Sequence, residues 1–200
     1  MTDAALDRLH LAVRRTREHT AGRATTGLSH QAADDTLGTF ATDGAHGFDP
    51  FPLLGALHRA GARVVVIGQV AGILHGSTEL TGDLDLLWDG DLAQSGALAA
   101  AFAEVGARLA DEDGVELPMG PDAFRLRKLD FSSPAAGGDC CTPALPWGVL
   151  PVGDFLNRAL TATAPDGTQV HYLRRDDLIL MRRAVARPKD LRRAAELDRL

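Results

Sequence analysis

Apolar positions along this chain fall into patterns that predict an alternation of helices and strands. Leu6, Leu9 and Val13 lie at helical spacing, with Arg14, Arg15 and Arg17 clustered beyond them, so Ala4 to His19 reads as one amphipathic helix. Residues 20–48 are rich in Gly, Thr, Ala and Asp, show little periodicity and read as a flexible linker. The core begins near Pro50. Leu53, Leu54 and Leu57 predict a helix over 52–60, closed by Gly61. Residues 63–67 form a short β-branched run, hence a buried strand, ended by Gly68. A short helix over 70–74 follows. Asp83 to Trp88 alternates between Gly82 and Gly90 and reads as a second strand. Leu98, Phe102, Val105 and Leu109 predict a helix over roughly 91–109. Residues 123–131 alternate as a third strand, 132–148 read as a long loop, and 152–160 as a short helix. Residues 168–173 form another strand after Asp166 and Gly167. Leu178, Met181 and Val185 define a helix from Asp176, and Pro188 opens a final helix through Leu200. The order predicts an α/β (α+β) fold with a small mixed β-sheet flanked by helices. An N-terminal helical extension over 1–48 precedes a core domain over 49–200.

Composition narrows the class. Hydrophobic residues make up 45% and charged residues 24%, which is globular usage and argues against disorder. The longest apolar run, Val64 to Leu74, is broken by Gln69 and is too short for a membrane span. The N-terminus shows no apolar leader, and the two cysteines, Cys140 and Cys141, are adjacent. They suit neither a disulfide framework nor a zinc site, so the expected setting is cytoplasmic, with no membrane partner. The net charge of −6 is unevenly placed. Residues 171–200 hold nine Lys and Arg against five acids, and residues 1–30 hold five Arg against three acids. The middle is therefore strongly acidic. That argues against broad coating of nucleic acid and suits carboxylates that hold cations.

The informative stretch runs from Val64 to Leu87. Asp83 and Asp85 alternate on a strand, so both carboxylates project from one face while Leu84 packs behind. Two like charges side by side repel, a cost that a divalent cation offsets. Mg²⁺ takes one or two carboxylates together with substrate phosphates. The plainer reading is an edge strand with exposed acids. Ahead of the pair, a hydrophobic strand ends at Gly68 and turns at once into a helix, whose free N–H groups make an anion site. Asp130, between Leu129 and Phe131, is a third acid on a buried-looking strand. It either pairs with Arg127 or Lys128 or joins the other two carboxylates in a two-metal site for phosphoryl displacement. No P-loop, nucleophile elbow, dinucleotide fingerprint or H-E-x-x-H motif is present.

These residues resemble the nucleotidyltransferase superfamily of the DNA polymerase β type, and within it small bacterial nucleotidyltransferase-like proteins. Gly68, Ala71, His75, Gly76, Thr81, Asp83 and Asp85 match the first motif, and Arg187, Pro188, Lys189 and Asp190 match a second near the C-terminus. The resemblance covers roughly 50–200. It implies a nucleotidyltransferase fold and Mg²⁺-dependent (or Mn²⁺-dependent) transfer of a nucleotidyl group from an NTP to a hydroxyl. The acceptor is a protein side chain, a tRNA or other RNA end, or a small molecule. Such proteins include toxin–antitoxin components, so a cognate toxin or antitoxin partner is implied as well. Asp83, Asp85 and Asp130 would hold metal and carry catalysis. Gly68, Gln69, Thr81, Lys189 and Asp190 would bind nucleotide. His75 reads as structural, and Arg182, Arg183, Arg192 and Arg193 as a solvated helical face. The chain departs from the pattern at Gln69, where a second Gly or Ser is usual, and at Glu79, where an Arg is common. The alternative is therefore a catalytically degenerate protein that binds a nucleotide or a partner.

Overall fold

The computed structural model describes residues 3–28, 32–33, 36, 38–145, 147 and 150–200. Its fold is mixed α/β. The helices are α1 (Ala4–Thr20), α2 (Phe51–Arg59), α3 (Gly68–His75), α4 (Ser95–Glu104), α5 (Val152–Asn157), α6 (Arg175–Val185) and α7 (Pro188–Leu197). The strands are β1 (Val64–Val66), β2 (Leu86–Trp88), β3 (Arg108–Ala110), β4 (Glu116–Leu117), β5 (Lys128–Ser132), β6 (Gly137–Cys141), β7 (Leu160–Thr163) and β8 (Gln169–Tyr172). They form one sheet in the order β4-β3-β5-β6-β2-β1-β8-β7. β1–β8 and β2–β6 are parallel and the other pairs are antiparallel. Among the described residues no helix is long and apolar enough to cross a membrane.

Every residue of β1 and β2 is buried, as expected of strands covered on both faces. Helices α1, α3, α6 and α7 pack in one group, and α2 with α4 in another. The sheet is larger than the small one the sequence suggests: eight strands among the described residues against four expected. The helix expected over 91–109 stops at Glu104, because Gly106 turns the chain at φ +64° and residues 108–110 join the sheet as β3. Leu109 is buried there as a strand residue; its helical spacing is coincidental. The strand expected over 123–131 starts later, since Pro121 opens a 3-10 turn over Pro121–Arg125. The expected loop over 132–148 contains β6.

β6 is the consequential difference. Its sequence, Gly-Gly-Asp-Cys-Cys, has little strand propensity. Position supplies what composition lacks: β6 lies between β5 and β2 and is bonded along both sides. A Cβ on Gly138 would fall 2.0 Å from the Leu84 carbonyl oxygen, so only glycine lets the two backbones approach.

The N-terminal extension shares the core. Leu6 and Leu9 are fully buried, the His10 ring stacks on Phe51 at 4.0 Å, and Arg8 Nη1 donates to the Leu74 carbonyl at 2.9 Å. Arg23 then pins the following segment, donating to the carbonyls of Phe40 at 2.8 Å and Thr42 at 2.5 Å. Thr39, Ala45 and Phe48 are buried. Residues 38–48 therefore run against the core, a placement their composition does not reveal.

Candidate functional site

The chain leaves β1 at Ile67 and enters α3 at Gly68, with no side chain capping the helix start. Gly68 sits at φ +64°, and a Cβ there would lie 1.8 Å from Asp85 Oδ2. The carboxylate thus rests directly on the glycine, which is why this turn tolerates no side chain. The strand expected over 83–88 begins only at Leu86, so Asp83 and Asp85 precede β2; the Ile67 amide still donates to the Asp85 carbonyl and the Leu84 amide to the Gly137 carbonyl, which ties the acidic pair to the chain on both sides. Leu84 is fully buried while Asp83 and Asp85 face one cavity of about 440 Å³. Gly68, Gln69, Asp139, Lys128, Arg182, Lys189, Asp190 and Arg193 also line it. Two larger cavities, of about 630 and 560 Å³, lie elsewhere and lack this meeting of carboxylates with a helix start.

Asp83 is held by hydroxyls. Thr81 Oγ1 donates to its Oδ1 at 2.5 Å and Thr39 Oγ1 at 2.7 Å. Thr81, singled out from the sequence, therefore orients an acid. Thr39 does the same from the N-terminal segment, which packs against Gly82 so closely that a Cβ there would lie 2.6 Å from the Ala45 nitrogen.

Asp130 does not line this cavity; it borders the 560 Å³ one. Its register partner across β5–β6 is Asp139, one strand nearer to β2. Lys128 Nζ bridges the two, 3.2 Å from Asp130 Oδ1 and 3.3 Å from Asp139 Oδ1. Burial by itself would lower the Lys128 pKa, but Asp139 and Asp130 outweigh it and hold the ammonium above the ordinary lysine value. The salt-bridge reading of Asp130 with Lys128 is thus realised, and the acid that accompanies Asp83 and Asp85 is Asp139. Sequence reading missed it because Gly-Gly and Cys-Cys flank it; the only signal was a lone acid beside two small apolar residues.

Gln69 is 2% exposed and its side chain is committed within the protein. Nε2 donates to Ser77 Oγ at 3.0 Å and to the Glu79 carbonyl at 2.7 Å, while Oε1 accepts from Arg182 Nη2 at 2.8 Å. Glu79 accepts from Arg193 Nε at 2.8 Å and from Arg192 Nη2 at 3.1 Å. The two departures from the expected motif are therefore neighbours in one network joining the start of α3 to α6 and α7. Arg182 and Arg193 are 5% and 7% exposed, so they do not belong to the solvated face expected of them. Burial, with repulsion from Arg193, brings Arg182 down to about 10, which leaves it charged at neutral pH. Lys189 and Asp190 are buried, and Arg187 Nε donates to Asp190 at 2.6 Å.

His75 lies on the far end of α3, its Nε2 2.7 Å from the Leu173 carbonyl, in the structural position expected of it. Both cysteine thiols are buried, which pushes their pKa values up and leaves them protonated. Among the described residues no group of three His, Cys, Asp or Glu side chains forms a closed metal site. Asp83 and Asp85 supply oxygen donors alone at the edge of an anion-compatible turn, a set that suits a hard cation completed by a ligand's phosphates. Comparison of this chain with known protein families, with curated proteins and with solved structures finds no match.

Proposed function

We propose that this cavity binds a nucleoside triphosphate with Mg²⁺ or Mn²⁺ and transfers its nucleotidyl group to a hydroxyl acceptor, on a nucleotidyltransferase fold. One observation carries the reading: Asp83 and Asp85 line the same cavity as the uncapped, side-chain-free start of α3 and the cations of α6 and α7. Carboxylates facing cations across a small cavity match a metal-bound polyphosphate better than either charge alone. Asp83 and Asp85 would hold the metal, which would offset phosphate charge. Thr81 and Thr39 fix the Asp83 carboxylate, Gly68 lets the Asp85 carboxylate sit against the start of α3, and Lys189 adds positive charge. The acceptor, whether a protein, a tRNA end or a small molecule, and a cognate toxin or antitoxin partner belong to the proposal.

A second reading is favoured by two observations. Lys128 already neutralises Asp139, and the Gln69 side chain turns inward. Both suit a protein that binds nucleotide without turnover. Calorimetry with ATP, GTP, CTP and UTP, each with and without Mg²⁺, tests both, together with mass spectrometry of incubated acceptors. Metal-dependent binding, lost in Asp83→Ala/Asp85→Ala, with mass added to an acceptor supports transfer. Binding without added mass supports the second reading. Absence of binding by all four nucleotides sinks both.

A further inference from the structure

Arg182 has one committed end and one uncommitted end. It reaches from α6 to the start of α3, where Nη2 donates to the Gly68 carbonyl at 3.1 Å and to Gln69 Oε1 at 2.8 Å. The guanidinium lies so close over α3 that a Cβ on Gly72 would meet Nη2 at 2.7 Å. Gln69 is itself fixed by Ser77 and Glu79. The other terminal nitrogen, Nη1, is buried and has no hydrogen-bond partner among the described residues. Buried donors are nearly always satisfied, so an orphaned one on a charged group at a cavity wall points to a missing acceptor. Lys189 and Arg193, the latter held by Glu79, line the same cavity and add positive charge to it. The uncapped helix start favours negative charge at the same place.

We propose that Arg182 is the anion-binding group of this cavity, giving Nη1 to a phosphoryl oxygen, and that Gln69 positions it. The inference rests on the nucleotide reading and deepens it: Arg182 would hold phosphate oxygens at the start of α3, in the cavity that Asp83 and Asp85 also line. It also gives the inward-turned Gln69 a purpose. A guanidinium presents its donors in a rigid plane, so fixing one nitrogen on Gln69 Oε1 and the Gly68 carbonyl fixes the other.

The test uses inorganic pyrophosphate without metal, titrated into the full chain by calorimetry. Wild type should bind, and Arg182→Gln should bind roughly tenfold to a hundredfold more weakly, the worth of a charged hydrogen bond. Arg182→Lys keeps the charge but loses the planar fork, so it should fall between. Gln69→Leu should weaken binding alone and add nothing in the Arg182→Gln background; additive losses would remove its positioning role. In wild type, the Arg182 side-chain ¹⁵N–H signals, assigned by their loss in Arg182→Lys, should move on titration. That measurement decides the matter even where Arg182→Gln does not fold. Unmoved signals, wild-type affinity in Arg182→Gln, or no pyrophosphate binding by wild type would each overturn the proposal. Arg182-dependent pyrophosphate binding with no nucleotidyl transfer would instead sink only the transferase reading.

Discussion

Replacing Gly68 by alanine perturbs backbone and acid together. At φ +64° a Cβ costs about 1–2 kcal/mol on steric grounds alone. The new methyl would also fall 1.8 Å from Asp85 Oδ2, 2.7 Å from Cγ and 2.9 Å from Cβ. Those atoms must shift, and overpacking of this kind costs about 1–3 kcal/mol. The total is roughly 2–5 kcal/mol, a large share of ordinary domain stability. Asp85→Gly removes all three clashing atoms. In that background Gly68→Ala should cost only the backbone part, leaving a coupling of about 1–3 kcal/mol in a double-mutant cycle. Urea unfolding followed through Trp88, which is buried, and Trp147 reads all four chains. If the two single losses add to within about 0.5 kcal/mol, the Asp85 carboxylate does not rest on Gly68 and the site geometry is wrong. Gly68→Ala should also abolish Mg²⁺-nucleotide binding, because Asp85 is displaced.

Three further outcomes follow from other contacts. Thr39→Val removes a donor to Asp83 and should cost about 1–2 kcal/mol in urea unfolding, with weaker Mg²⁺-nucleotide binding; Thr39→Ser should restore both. Wild-type binding in Thr39→Val would separate the N-terminal segment from the site. Gly138→Ala places a Cβ 2.0–2.8 Å from Leu84 backbone atoms that cannot yield, so it should cost about 3 kcal/mol or more by thermal or urea unfolding. A mild effect would mean β6 does not approach that closely. Burial lowers the His75 pKa, so the unfolded chain takes up the proton more readily and stability falls as pH drops through about 6.5. His171 is lowered by burial too, so His75→Gln should remove only part of the slope in urea midpoints between about pH 5 and 8. Parallel slopes for the two chains would refute the assignment to His75.

Much of the core was legible in the sequence because its signals are local. A β-branched run gave β1, alternation after Asp166 and Gly167 gave β8, helical spacing gave α1 and α6, and Pro188 marked the start of α7. The acidic pair was legible for the same reason: alternation in an extended segment settles that Asp83 and Asp85 share a face whatever surrounds them. Asp139, β3 and β7 were not. Their sequences carry weak propensity, and neighbouring strands supply the pairing that holds them extended.

The sequence by itself determined the elements with strong local patterns and the turn that places a glycine before an acidic pair. Periodicity and backbone sterics act over a few residues, so those features needed no knowledge of distant parts. Tertiary structure alone decided which acid joins the pair, that Thr39 reaches Asp83 across 44 residues of chain, and that Arg182 and Arg193 turn inward. It also joined Gln69 and Glu79, two departures from the expected motif, to α6 and α7. Buried charges are tolerated only where partners from several elements converge, and that convergence is a property of the folded sheet and helices, not of any one segment.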